Sequence, residues 1–161
     1  MQIEEIMFSS IYLDCVRFFN IATTPRGLRP EKAKVIRRIS FNHLRGSAET
    51  GSVIQGSFKG YVQDITFNDV KFDYRPSVNV NPKVPENGYG EFIRDGNPPA
   101  AFYLHNADDV KFKNCCINFP ENDEGYLYSI MSINSSFDVS EDFTANRNVY
   151  EAFPKNQDIN N

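Results

Sequence analysis

Few side chains in this sequence stand where chemistry would need them. The clearest carboxylate pair is Asp108-Asp109, inside Asn106-Ala107-Asp108-Asp109. Paired carboxylates are the arrangement that glycoside hydrolysis uses for general acid and base work. Here they precede the apolar stretch Val110–Phe112, and the expected role is a solvated acidic turn. Histidines number two, and neither has a second histidine at i+4. No metal site and no other cofactor is therefore expected. His43 beside Asn42 reads as a turn-capping residue, and His105 lies in the strand-like Ala101–Asn106 and can face either way. No Gly-rich run follows a strand and opens a helix, so nothing cradles a phosphate. A Pro- and Gly-rich stretch from Tyr74 to Pro99 carries Tyr89, Glu91, Arg94 and Asp95. An aromatic ring can stack on a pyranose, and an arginine can hold a carboxylate through two parallel hydrogen bonds. Tyr89 and Arg94 are thus the candidate binding residues. Asn134-Ser135-Ser136 is a glycosylation sequon, a weak signal on its own.

The elements that would position these residues emerge from an internal repeat. Four segments, Ile3–Leu13, Ile36–Gly46, Val62–Phe72 and Ala107–Ile117, begin 33, 26 and 45 residues apart. In each, mostly apolar residues fall at relative positions 1, 4, 6, 9 and 11. Steps of two are strand alternation. Steps of three would flip the inward face unless the chain turns there. Each block therefore reads as strand, two-residue turn, strand, with one common interior. A helix would require a different period, and Asn42-His43, Asn68-Asp69 and Lys113-Asn114 are turn formers. Position 6 is always phenylalanine: Phe8, Phe41, Phe67 and Phe112. Stacked blocks would place these rings about 4.8 Å apart, the strand spacing. Ile6, Ile39, Ile65 and Val110 make a neighbouring aliphatic ladder, and Asn42 and Asn68 a short amide ladder. Second strands are predicted at Val16–Ala22, Ser52–Gln55, Ala101–His105 and Leu127–Ile133, with a weaker fifth block through Phe137–Val139 and Phe143. Cys115 falls on an inward position and reads as a small core residue, whereas Cys116 points the other way.

Composition narrows the classes. The chain has 161 residues, 17 Lys+Arg against 21 Asp+Glu, 40% hydrophobic and 14% aromatic residues. That is enough for one packed domain. A net charge of −4 argues against nucleic acid as a partner. No apolar run approaches the length of a membrane span. Three cysteines without a C-x-x-C pair give neither a disulfide framework nor a zinc knuckle. Residues 1–153 are expected to form one all-β unit and residues 154–161 a polar tail, with surface loops at Thr23–Lys34 and Tyr74–Pro99.

Ile36–Gly46 followed by Gly51–Gly56 and Val62–Phe72, together with Asn97–Phe112, resembles the late coils of the polygalacturonase family, glycoside hydrolase family 28. The likeness covers about residues 1–145 and matches only the C-terminal portion of such enzymes. It implies a right-handed, single-stranded parallel β-helix of the pectin-lyase-like kind, with about four to five coils. It also implies a pectic or related polyuronide as partner, and export to the extracellular space or periplasm. Family chemistry is inverting hydrolysis by carboxylates, carried by Asn-Thr-Asp, Asp-Asp, Gly-His-Gly and Arg-Ile-Lys motifs on earlier coils. Gly-His-Gly and Arg-x-Lys are absent here, and Asn106–Asp109 imitates two motifs that the family places on successive coils. No catalytic residue is carried over, and the chain by itself is expected to be hydrolytically silent.

The repeat is already in phase at Ile3, which predicts that N-terminal coils are missing. Expected partners of that open end are such coils or a second copy of the chain. A stand-alone structural or carbohydrate-binding solenoid, like part of an adhesin or tailspike, is the alternative reading. A polysaccharide lyase is a third, and would need a cluster of calcium-binding carboxylates.

Overall fold

Left-handed backbone at regular intervals is what turns these repeats into stackable strands. The computed structural model describes residues 2–23, 34–57, 60–76 and 97–152. Within these, Glu5, Arg38, Asp64 and Asp109 occupy position 3 of their blocks, and Ser10, His43, Asp69 and Asn114 occupy position 8. All eight have φ between 49° and 61°. A single residue of this hand re-aims the chain, so a step of three returns the next side chain to the same interior. The predicted two-residue turns are therefore one-residue bends inside continuous strands. Asn and Asp tolerate this conformation best, and with Asn106 and Asn134 they supply six of the ten left-handed non-glycine residues described.

The strands are β1 (Gln2–Arg17), β2 (Asn20–Ala22), β3 (Lys34–Thr50), β4 (Ser52–Gln55), β5 (Gly60–Tyr74) and β6 (Ala100–His105). They continue with β7 (Ala107–Asn118), β8 (Tyr128–Ile133), β9 (Phe137–Val139), β10 (Thr144–Ala145) and β11 (Asn148–Ala152). No helix occurs among the described residues. Two parallel sheets result. One has the order β1-β3-β5-β7-β10, with β9 also on β7, and the other β11-β8-β6-β4-β2. The chain alternates between them, so each strand pairs with one from the preceding repeat. The predicted second strands appear as β2, β4, β6 and β8. Val16 and Arg17 belong instead to the end of β1, because pairing of Arg17 with Thr50 keeps them in the first sheet.

Register is the one that the repeat demands. Phe8 pairs with Phe41, Phe41 with Phe67 and Phe67 with Phe112. Their ring centroids stand 5.1, 5.0 and 5.2 Å apart with interplanar angles of 7–9°. Phe19 and Phe102, from the opposite side of the interior, lean on this column at 4.5 Å from Phe41 and 4.9 Å from Phe67. Phe67 and Phe112 are wholly buried, and each such side chain contributes roughly 1.5–3 kcal/mol. Ile6, Ile39, Ile65 and Val110 are aligned as expected. Gly46 interrupts the next inward column, because a β-carbon there would lie 2.1 Å from the Leu13 carbonyl oxygen.

The two sheets differ in exposure. All residues of β4 and β6 are buried. On one face they join the main core, and on the other Val53, Tyr103, Met131 and Ile133 form a second apolar cluster. The first sheet keeps one face toward solvent, shown by the alternation of buried and exposed residues along β3 and β7. Functional polar groups have room there.

Candidate functional site

Stacked repeats place equivalent outward residues in columns one strand apart. Position 8 brings His43, Asp69 and Asn114 into one column at the exposed bend of the first sheet. His43 Nδ1 donates to Asp69 Oδ2 at 2.6 Å, and Arg45 donates to Asp69 Oδ1 at 2.8 Å and to the Asp69 carbonyl at 2.6 Å. Asn114 donates to Asp69 Oδ1 at 3.3 Å. Asp69 is thus a hub. Its hydrogen bond from His43, then that from Arg45, holds its carboxyl below the usual carboxylate range. A carboxylate so engaged remains an anion at neutral pH and does not serve as a proton donor.

Around this hub lies a mixed face of cations and amides. Arg45 and Lys71 are register neighbours on β3 and β5, and Lys113 stands beside Asn68 on β7. All three cations are exposed. Asn68 donates to Asn42 at 3.3 Å, which forms the predicted amide ladder. Asn118 donates to Asp73 at 2.8 Å. At the other bend, Glu4 accepts from Arg37 at 2.7 Å and from Arg38 at 2.6 Å. The Arg37 hydrogen bond is the main cause that lowers the Glu4 carboxyl. Such a surface can bind an elongated anionic or hydroxylated chain through several weak contacts. It does not assemble acid–base machinery.

The residues singled out in the sequence are scattered. Asp108 and Asp109 lie within β7 rather than in a turn before it, because only Asn106 is needed for the corner. Asp109, on a left-handed bend, pairs with Lys111 at 2.8 Å, and this contact raises the lysine above its ordinary range. His43 is the exposed partner of Asp69. His105 is buried, with its ring parallel to Tyr103 at 6.1 Å, so it belongs to packing of the second sheet. Cys115 is buried and burial pushes its thiol up to about 12. Cys15, Cys115 and Cys116 are all free thiols. Asn134 sits on an exposed left-handed corner and donates to Asn106 at 2.6 Å. Tyr89, Glu91, Arg94 and Asp95 lie outside the described residues.

An acidic segment, Pro120–Gly125, is organised differently. The Arg147 guanidinium donates to the carbonyls of Pro120, Asp123, Tyr126 and Asn146 at 2.9–3.2 Å. It also lies 5.8 Å from the centroid of the Phe119 ring. An internal cation thereby occupies the carbonyl-lined turn. Among the described residues no three His, Cys, Asp or Glu side chains come together as a metal site.

Fold and site together define an all-β chain with two parallel sheets and a polar, partly cationic outer face. Comparison with protein-family models, curated proteins and solved structures finds no match to the chain.

Proposed function

We propose that the chain is a right-handed parallel β-helix of the polygalacturonase type, with about four to five coils, that holds a pectic polyuronide on the outer face of its first sheet. The observation that carries this reading is the polar face on which Arg45 and Lys71 are register neighbours and Lys113 stands on the next strand beside Asn68, around the His43–Asp69–Asn114 column. Exposed cations one strand apart suit the repeating carboxylates of a polyuronide, and the adjacent amides suit its hydroxyls. Motif likeness in Ile36–Phe72 and Asn97–Phe112 supports the kinship. On this reading the chain binds without cutting. Asp109 is engaged with Lys111 and Asp69 with three donors, and the family's Gly-His-Gly and Arg-Ile-Lys motifs do not occur in the sequence.

Affinity electrophoresis and calorimetry with polygalacturonate test the proposal. Wild type should bind polygalacturonate, bind a neutral glucan more weakly, and lose affinity as salt rises. Lys71→Ala combined with Lys113→Ala should weaken the charged interaction while leaving thermal stability nearly unchanged, since both side chains are exposed. Equal binding of charged and neutral glycans, or no effect of the double substitution, overturns the placement of the site. Release of reducing sugar by the purified chain overturns the non-hydrolytic assignment.

A further inference from the structure

Among the described residues, β1 lies at one end of the first sheet. β1 is 16 residues long and, among the described residues, pairs only with β3. Its side chains border an open apolar cavity of about 560 Å³, whose lining includes Ile3, Ile6, Phe8, Ile11, Leu13 and Phe19. Met7 is 71% exposed and Phe8 39%. Long unpaired apolar edges are pairing sites unless they are covered. The opposite end is blunted. There β9, β10 and β11 have 3, 2 and 5 residues, and Phe143 closes on Phe112 at 6.1 Å. Among the described residues, that end offers β1 too little strand for head-to-tail assembly.

The edge carries an order that selects its partner. From Ile3 to Ile11 the inward and outward positions read in, out, out, in, out, in, out, out, in, which is a palindrome about Met7. Residues directly opposite in an antiparallel pair share a face. A two-fold axis at Met7 therefore sets Ile3 against Ile11 and Ile6 against Phe8, so that apolar meets apolar. It sets Glu4 against Ser10 and Glu5 against Ser9, so that no carboxylate faces a carboxylate. The bends also coincide within one residue, because the outward doublets Glu4-Glu5 and Ser9-Ser10 oppose each other. A straight strand could not follow both bends. We infer that β1 is the contact surface for a second copy of this chain, paired antiparallel about Met7 in a closed two-fold dimer. An isologous contact of this kind stops at two copies.

The test uses the 161-residue chain. Light scattering coupled to size exclusion should give twice the chain mass of 18.4 kDa at micromolar concentration. Met7→Glu places a new carboxylate on the axis, beside Glu5 of both copies. The dissociation constant should rise at least about tenfold, with the far-ultraviolet circular dichroism unchanged. In a Cys15→Ser background, Met7→Cys should oxidise to a covalent dimer, because residues opposite on the axis have Cα atoms about 4.5–5.5 Å apart. Ser10→Cys in the same background should not, since its two copies lie about 20 Å apart. A monomeric wild type, a ladder of larger oligomers, or equal cross-linking at positions 7 and 10 each overturns the inference.

Discussion

Phe67 is the place to test whether the aromatic column holds the stack together. Its ring lies between Phe41 at 5.0 Å and Phe112 at 5.2 Å, nearly parallel to both, and Phe19 and Phe102 flank it at 5.3 and 4.9 Å. No part of it reaches solvent. Phe67→Ala removes that buried surface and leaves a void between two strands pinned by their ladder hydrogen bonds, so little collapse can follow. Core Phe→Ala substitutions cost about 3–5 kcal/mol. Parallel offset pairs account for about 0.5–1.5 kcal/mol each, which places this position near the upper end. Phe8 belongs to the same column but is 39% exposed and has one stacked neighbour, Phe41. In the single chain, partial burial and a single ring pair put Phe8→Ala at about 1–2 kcal/mol, so the comparison is made at concentrations where the chain is monomeric. The two variants should therefore differ by about 3 kcal/mol, or about 10 °C in Tm for a chain of this size. The sequence contains no tryptophan, so urea unfolding is followed by far-ultraviolet circular dichroism. Phe67→Leu supplies a milder variant if the alanine form does not fold, and its cost should fall between the two. Equal costs at positions 8 and 67, or a loss below about 2 kcal/mol for Phe67→Ala, would refute the argument that interior rungs carry the stability.

Three further outcomes follow from particular contacts. Gly46→Ala forces a β-carbon against the Leu13 carbonyl oxygen; it should cost at least about 1–3 kcal/mol and raise hydrogen exchange in β1 before β7. Arg147→Lys keeps the charge but loses the fork that holds four carbonyls; a loss of about 1–3 kcal/mol should accompany faster proteolysis between Pro120 and Gly125. Asp69 has a folded-state pKa below its reference value of 3.8, so its ion pairs stabilise the fold above that pH, and this contribution fades as pH falls through the lowered value. Asp69→Asn should accordingly lower the urea midpoint at neutral pH and converge on wild type in strong acid; a gap that persists in acid removes the electrostatic explanation.

How much of this was legible in advance varies with the physics behind each feature. Inward columns were readable because burial repeats with the pleat, and Phe8, Phe41, Phe67 and Phe112 announce a common register whatever the loops between them do. The bends were half readable. Asn and Asp mark Asp64, Asp69, Asp109 and Asn114, and Asn42 marks the bend at His43, whereas Glu5, Ser10 and Arg38 adopt the same backbone because their neighbours in the ladder impose it. The Asp69 hub was missed, although the alignment that stacks the phenylalanines also stacks His43, Asp69 and Asn114. Outward polar residues carry no hydrophobic signature, so nothing drew attention to that column. Arg45 and Arg147 were missed because long side chains choose partners across space.

Sequence alone determined that apolar side chains fall on one interior, that the strands recur with equivalent residues, and that neither Gly-His-Gly nor Arg-x-Lys occurs in the 161 residues. These are local properties, set by side-chain type and a period of two interrupted by single bends. Tertiary structure decided which polar groups meet: that Asp69 is saturated by three donors, that Asp109 is tied to Lys111, that His105 is buried, and that β1, among the described residues, pairs only with β3. Those outcomes depend on which strand lies beside which, and pairing between residues 26 or 45 positions apart is a matter of stacking geometry.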